Sequence, residues 1–345
     1  MCWRRSAPEI GQKESIMAMN SFEWVDATTV EQAAGLLAES TEQRPVIAKA
    51  GGIDLLDLMK EGILAPMRLV NLKTIRGLDE VDTENGLSLG ALVTLDRIDN
   101  DPQVRARYLA LSDAAGHAAT PQVRNAATIG GNLLQRPRCW YFRHDHFHGE
   151  GADEMGSRGA DENQHHAIFD NDKNAMVHAS TPATALVAYD ASAELAGGAN
   201  GSRVVKLSDF FLPPEMQRAH DARIETGEVM TRVIVPPLNA GAKAAYRKQT
   251  ERDSYDWPIC DVAVVLTMEG QTVQNASIVM GWVAPTPRRA VESERLLIGN
   301  RLTDDLARQA ARAAVAGATP LAKNGYKVPV LETVVRRTIL AAAAG

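Results

Sequence analysis

The residues best placed to do chemistry in this sequence are glycines. Residues 45–50 (Pro-Val-Ile-Ala-Lys-Ala) read as a short strand, and Gly51-Gly52 turns the chain. Asp54 stands where a helix N-cap belongs, ahead of Leu55, Leu56, Leu58 and Met59 on one helical face, with Gly62 to end it. A second turn lies at Thr128-Ile129-Gly130-Gly131-Asn132. A strand, a glycine turn and a helix start make an anion cradle. Glycine admits positive φ and close backbone approach, and successive amides backed by a helix dipole favour a phosphate. Taken singly, either turn also has a purely structural reading, because paired glycines are common punctuation. Two in one fold suit a pyrophosphate, whose charged groups can be held between two loops. Neither is a dinucleotide fingerprint, since the third glycine of G-x-G-x-x-G is missing. No Gly-Lys-Ser/Thr follows to make a Walker loop.

Other reactive side chains are scattered. Six of the eight histidines (His144, His146, His148, His165, His166 and His178) fall in or just after a polar stretch over 144–174. The first three can converge on zinc; solvated loop histidines are the other reading, and no clear fourth ligand stands nearby. The three cysteines, Cys2, Cys139 and Cys260, include no CxxC pair, so they build no disulfide framework and suit a reducing compartment. Cys260 reads as a small buried residue. Tyr246-Arg247-Lys248 with Arg252 form a basic cluster that can face phosphates, a partner or solvent. No G-x-S-x-G elbow and no Ser-His-Asp reading stands out.

Ordinary globular elements must hold these turns in place. At 345 residues the chain exceeds one usual core, so two or three subdomains are expected. A hydrophobic content of 45% argues against disorder, and a formal net charge of −6 gives no reason to suspect nucleic acid. No apolar run is long enough to span a membrane. Residues 1–18 read as a loose extension, since Arg4-Arg5 lacks the apolar stretch of an export signal. The pattern predicts helices over 29–39, 94–100, 104–119, 303–318 and 330–344. Strands are expected over 68–72, 87–91 and 229–235, with a pair over 262–268 and 276–283. The stretch 144–174 reads as a long polar loop, and Pro236-Pro237 as a domain boundary. The division is 1–18 extension, 19–80 first subdomain, 81–237 second subdomain with the insertion 144–174, and 238–345 C-terminal domain.

Ala50-Gly51-Gly52-Ile53-Asp54-Leu55, then Leu89-Gly90-Ala91 with Thr94, then Ala127-Thr128-Ile129-Gly130-Gly131-Asn132 resembles the FAD-binding subunit of the xanthine dehydrogenase and carbon monoxide dehydrogenase family. The resemblance covers roughly residues 19–340 and implies an α+β, vanillyl-alcohol-oxidase-like (PCMH-type) FAD-binding fold. Two α/β subdomains are joined there to a C-terminal sheet-and-helix domain. By position it implies that Lys49, Ala50, Gly51, Gly52, Ile53, Asp54 and Leu55 wrap the FAD pyrophosphate. Gly90, Ala91 and Thr94, with Thr128, Gly130, Gly131 and Asn132, take the other side. Met230 and Asp256 fall near the flavin, and Thr181 stands where the family often has an aspartate towards the nucleotide end.

Arg138-Cys139-Trp140-Tyr141-Phe142-Arg143 and His165-His166-Ala167-Ile168-Phe169 resemble the aldehyde oxidoreductase and 4-hydroxybenzoyl-CoA reductase branch. That branch carries a [4Fe-4S] cluster on four cysteines in the inserted loop. Here only Cys139 remains, and the other ligand positions fall near Gly149, Gly156 and Asn174, so the cluster is expected to be absent. Cys139 is read as a relic of it, with a reactive thiol as the alternative. The resemblance implies a non-covalent FAD relay in a molybdenum hydroxylase oxidising an aldehyde or heterocycle. A small [2Fe-2S] subunit and a large molybdenum-cofactor subunit are the expected partners. A flavin-free scaffold subunit and a stand-alone flavin oxidase are the rival readings. The expected compartment is cytoplasmic, or periplasmic if a partner carries the export signal.

Overall fold

The computed structural model describes residues 19–143, 162–172, 175–199, 201–212, 222–253 and 255–345. The extension over 1–18, the His144, His146 and His148 group, and Gly149, Gly156 and Asn174 lie outside the described residues.

The first subdomain alternates strand and helix: β1 (Glu23–Asp26), α1 (Val30–Ala38), β2 (Val46–Lys49), α2 (Ile53–Lys60) and β3 (Arg68–Asn71). Each helix is the crossover that parallel pairing requires, and the strands form a parallel sheet in the order β1-β3-β2. Thr29 starts α1 by accepting the Gln32 amide at 3.1 Å, and Ala33, Ala34 and Leu37 bury its apolar face. Register aligns Asp26 and Lys49 with Asn71, so the first glycine turn leaves the carboxyl edge of the sheet. Ligand sites of open α/β sheets gather at that edge. Asp54 is not the helix cap. Gly52, at φ 81°, takes that position, and Asp54 sits inside the first turn.

The second subdomain is built on β4 (Val81–Asp82), β5 (Leu87–Gly90), β6 (Ser192–Gly197), β7 (Arg203–Lys206) and β8 (Glu228–Val235). They pair antiparallel in the order β4-β5-β8-β6-β7. Its helices are α3 (Leu95–Asn100), α4 (Pro102–Arg107), α5 (Leu109–Gly116), α6 (Pro121–Ala126), α7 (Ile129–Leu133), α8 (Trp140–Arg143), α9 (Thr181–Ala188) and α10 (Leu207–Phe210). The helical run expected over 104–119 breaks at Tyr108, whose backbone (φ −127°, ψ 48°) leaves the helical region. Its ring is buried edge-on to Tyr189, with centroids 5.6 Å apart.

In the C-terminal domain β9 (Ala242–Gln249), β10 (Cys260–Glu269), β11 (Thr272–Gly281) and β12 (Arg288–Arg289) form an antiparallel sheet. Alternating Val262, Val264 and Leu266 meet Ala276, Ile278 and Met280 in a core closed by α11 (Val291–Leu297), α12 (Asp304–Val315) and α13 (Lys327–Ala344). The polar-loop reading fails for the end of 144–174. Ile168 and Phe169 are buried in this core, and both amides donate to the Val283 carbonyl, at 2.9 and 3.1 Å. A short apolar run must be covered whatever the average composition around it.

Candidate functional site

Glycine at position 51 is fixed by contact. A Cβ there would stand 2.0 Å from the Ala126 carbonyl oxygen, so only glycine lets the turn lie against the end of α6. Gly52 then needs its positive φ to start α2. Among the described residues no acceptor takes the amides of Gly51, Gly52, Ile53, Asp54 or Leu55; the first bond of α2 is Leu56 N–H to the Gly52 carbonyl, at 2.9 Å. Five successive unsatisfied donors at a turn on the carboxyl edge of a sheet fit a pyrophosphate. Ile53 is exposed beside them.

Charge supports the same reading. The Lys49 side chain packs against Gly52, with its Cε 3.1 Å from where a Cβ would lie. Its ammonium rests 5.2 Å from the centroid of the Trp24 ring. Burial, and then the neighbouring Lys73, push its pKa below the ordinary lysine value, and an anion at the turn would oppose that shift. Asp54, in the first turn of α2, would repel a phosphate if left bare. Its Oδ1 takes Arg138 and Arg143, each at 2.7 Å, and its Oδ2 accepts the Arg136 amide at 2.9 Å. Arg143 also binds Asp57 at 2.7 Å.

The second glycine turn differs from the first. Thr128 and Thr94 bridge two chain segments, and each caps a helix, Thr128 accepting the Gly131 amide and Thr94 the Arg97 amide, both at 3.2 Å. Ile129 N–H goes to Val93, Gly130 N–H to Ala91 and Asn132 N–H to Thr128. These amides are used internally. The glycines serve packing, since a Cβ on Gly130 would press on Ala91 at 3.0 Å and one on Gly90 would meet the Leu78 carbonyl at 2.3 Å. Asn132 accepts from the Ser180 hydroxyl at 2.5 Å, which fixes its side-chain amide. The Gly51 contact brings the two turns together, because Ala126 and Ala127 lead directly into Thr128.

Other expected site residues sit elsewhere. Met230 is buried in the core of the second subdomain, next to Thr231, whose carbonyl holds the Ala91 amide at 2.9 Å. The Thr181 hydroxyl is buried and donates to the Ala114 carbonyl at 3.0 Å. Asp256 lies between β9 and β10 and pairs with Arg252 at 3.2 Å. From the basic cluster, Lys248 reaches across to the His117 carbonyl at 2.9 Å. Cys139 Sγ lies 3.8 Å from His166 Nε2. Burial, then Lys327, pushes His166 down to about 4, and burial pushes His178 to about 3, so both are neutral at pH 7. Among the described residues no three His, Cys, Asp or Glu side chains converge on a metal position. Cys260 is buried, and its thiol is pushed up to about 12. Sequence reasoning missed the Arg138–Asp54–Arg143 cluster and the fully buried Lys327; arginines flanking Cys139 were the only signal for the first.

Residues 20–238 match the FAD binding domain in molybdopterin dehydrogenase, and residues 244–342 match the CO dehydrogenase flavoprotein C-terminal domain. The chain is 31% identical over 320 residues to the aldehyde oxidoreductase FAD-binding subunit PaoB of Escherichia coli, covering 90% of this chain and 94% of that protein. It is 29% identical over 326 residues to the carbon monoxide dehydrogenase medium chain of Hydrogenophaga pseudoflava, covering 93% and 96%. The solved structure of carbon monoxide dehydrogenase from that organism, in a form lacking the Mo-pyranopterin moiety, superposes with a TM-score of 0.74 at 29% identity. The match spans 95% of this chain and 99% of that one. No helix of the described residues is long and apolar enough to cross a membrane.

Proposed function

This chain belongs to the FAD-binding medium subunits of the molybdenum hydroxylases, and on that premise we propose that it is the electron relay of such a complex. Electrons would arrive from [2Fe-2S] clusters on a small partner subunit and leave to an external acceptor. Oxidation of an aldehyde or heterocycle would take place at a molybdenum cofactor on a large partner subunit. Bound FAD supplies a centre that takes electrons singly and gives them up in pairs. The observation that carries the reading is the run of five amides from Gly51 to Leu55 that find no acceptor among the described residues.

This chain's residues bind and orient. The amides of Gly51 to Leu55 would hold the pyrophosphate, with the Lys49 ammonium as counter-charge. Thr128, Gly130, Gly131 and Asn132 would form the opposing wall, set in place by Gly90, Ala91 and Thr94. Thr181 and Met230 would act from behind that wall, and Asp256 from the C-terminal domain. No side chain here is assigned to substrate chemistry. With three cysteines in the whole chain, a four-thiolate cluster has too few ligands, so the subunit would work without [4Fe-4S].

The test is to purify the chain alone and with its partners, identify heat-released flavin, and follow flavin bleaching after substrate is added to the complex. Stoichiometric FAD that bleaches with substrate is the expected result. FAD that stays oxidised while the iron–sulfur centres are reduced would overturn the relay. About four iron atoms per isolated chain would overturn the cluster-less assignment.

A further inference from the structure

The stretches 136–143 and 162–172 are fastened to two different bodies. At the start, Arg143 binds Asp54 and Asp57, each at 2.7 Å, and its remaining donors close on the Pro137 and Arg136 carbonyls at 2.7 and 3.0 Å. Arg138 adds a second 2.7 Å pair to Asp54. The Asp54 pairs bear on the first turn of α2, where among the described residues the amides have no acceptor, and Asp57 lies one turn further on.

At the other end the fastening is to the C-terminal domain. Lys327 is fully buried and donates to the carbonyls of Trp282, His166 and His165 at 2.7, 3.1 and 3.2 Å. Asn324 reaches the His166 and Ala167 carbonyls at 3.1 and 3.2 Å, and Asn163 accepts the Lys323 amide at 2.9 Å. The two fastened pieces touch directly. Cys139 lies against His166, and Phe142 packs with Met176 and with Leu58 of α2.

We propose that Arg138 and Arg143 are positioning residues for the FAD-binding turn. They hold it through Asp54 and are themselves held by the contact of 136–143 with the segment that Lys327 and Asn324 grip. The Asp54 side chain thus acts through α2 rather than as a ligand; its carboxylate oxygens are already taken by the two guanidiniums and the Arg136 amide. The geometry of the cradle depends on an attachment made in another domain. Packed two-ended connections of this kind carry coupling free energy between distant sites.

The proposal rests on the reading that Gly51–Leu55 faces FAD, and the experiment separates the two. FAD affinity of the full-length, flavin-stripped chain is measured by fluorescence titration, and melting is followed without FAD. Variants are Arg143→Met, Arg143→Lys, Lys327→Met, the Arg143→Met/Lys327→Met double, and Gly51→Val as control. Asn324→Ala replaces Lys327→Met if the latter does not fold. Arg143→Met should weaken FAD about tenfold, and Arg143→Lys should recover most of the loss. Lys327→Met should also weaken FAD, and the double variant should lose less than the product of the singles, because one cut already frees the connection. Unchanged affinity in Arg143→Met, or losses that simply multiply, overturns the proposal. If Gly51→Val binds FAD like the wild type, the cradle reading itself has failed.

Discussion

Replacing Gly51 by alanine puts the cradle to its sharpest test. The new Cβ would lie 2.0 Å from the Ala126 carbonyl oxygen and 2.9 Å from its carbon. A carbon–oxygen contact ordinarily closes to about 3.3 Å, so the turn must retreat by roughly 1.3 Å. Hydrogen bonds near 2.9 Å do not survive that displacement. If two amide bonds to a charged phosphate are lost, at roughly 1.5–3 kcal/mol each, FAD affinity should fall about 10²- to 10⁴-fold. Gly52→Ala is the comparison. It costs backbone strain at φ 81°, roughly 1–2 kcal/mol, and its nearest neighbour is the flexible Lys49 side chain, which can yield. Gly51→Ala should therefore be the worse binder, although Gly51, unlike Gly52, does not stand at positive φ. Flavin-stripped protein titrated with FAD, with circular dichroism to confirm folding, gives the answer. A folded Gly51→Ala that binds FAD within threefold of wild type would refute the reasoning.

Three further outcomes follow from individual residues. Asp261 is buried between β10 and α9, where it accepts from Tyr246 Oη at 2.7 Å and Thr184 Oγ1 at 3.2 Å, and burial pushes its pKa up to about 7. Its folded pKa exceeds the unfolded one, so stability falls as pH rises from about 4 to 7 and then levels. Asp261→Asn should flatten that slope and gain a few kcal/mol at pH 8 in denaturant titrations; an unchanged slope counts against a buried, protonated Asp261. Thr29→Ala removes the cap bond to Gln32 and should cost about 1 kcal/mol in urea melts without changing FAD affinity. Cys139→Ser should leave the iron content of the isolated chain as it was, read by metal analysis; a loss of iron would mean that the thiol holds a centre.

What the sequence disclosed of the fold followed from local pattern. Helix α1 announces itself through Thr29 and the spacing of Ala33, Ala34 and Leu37, and the β10–β11 pair through two apolar runs, Val262 to Met268 and Ala276 to Val283. The break at Tyr108 was not legible, because it depends on where Tyr189, 81 positions away in sequence, offers its ring. Nor was the antiparallel pairing of the second sheet, since a strand's pattern does not name its neighbour. Lys327 was missed for a related reason. A lysine at the head of a helix reads as solvated and the helical pattern starts only at Val330, whereas three carbonyls supplied by distant loops let the ammonium lie inside.

The candidate site divides along the same line. Glycines disclose themselves because what they permit is local, and so both turns could be found by reading. Their difference could not: whether an amide is free depends on which carbonyl arrives opposite it, and Val93 and Ala91 meet the amides of the second turn while, among the described residues, no acceptor meets those of the first. Asp54 is the instructive residue. Sequence order makes it a cap, and the resemblance makes it a cofactor contact. The structure gives the cap position to Gly52 and sets two guanidiniums on the Asp54 carboxylate, one of them 89 positions away. With a phosphate bound at the turn, a carboxylate in the first turn of α2 would repel it unless something neutralised the acid. Here the neutralising charges lie on the segment that bears Cys139. Whatever Cys139 itself does, the segment that bears it carries Arg138 and Arg143, which balance the acid beside the first glycine turn.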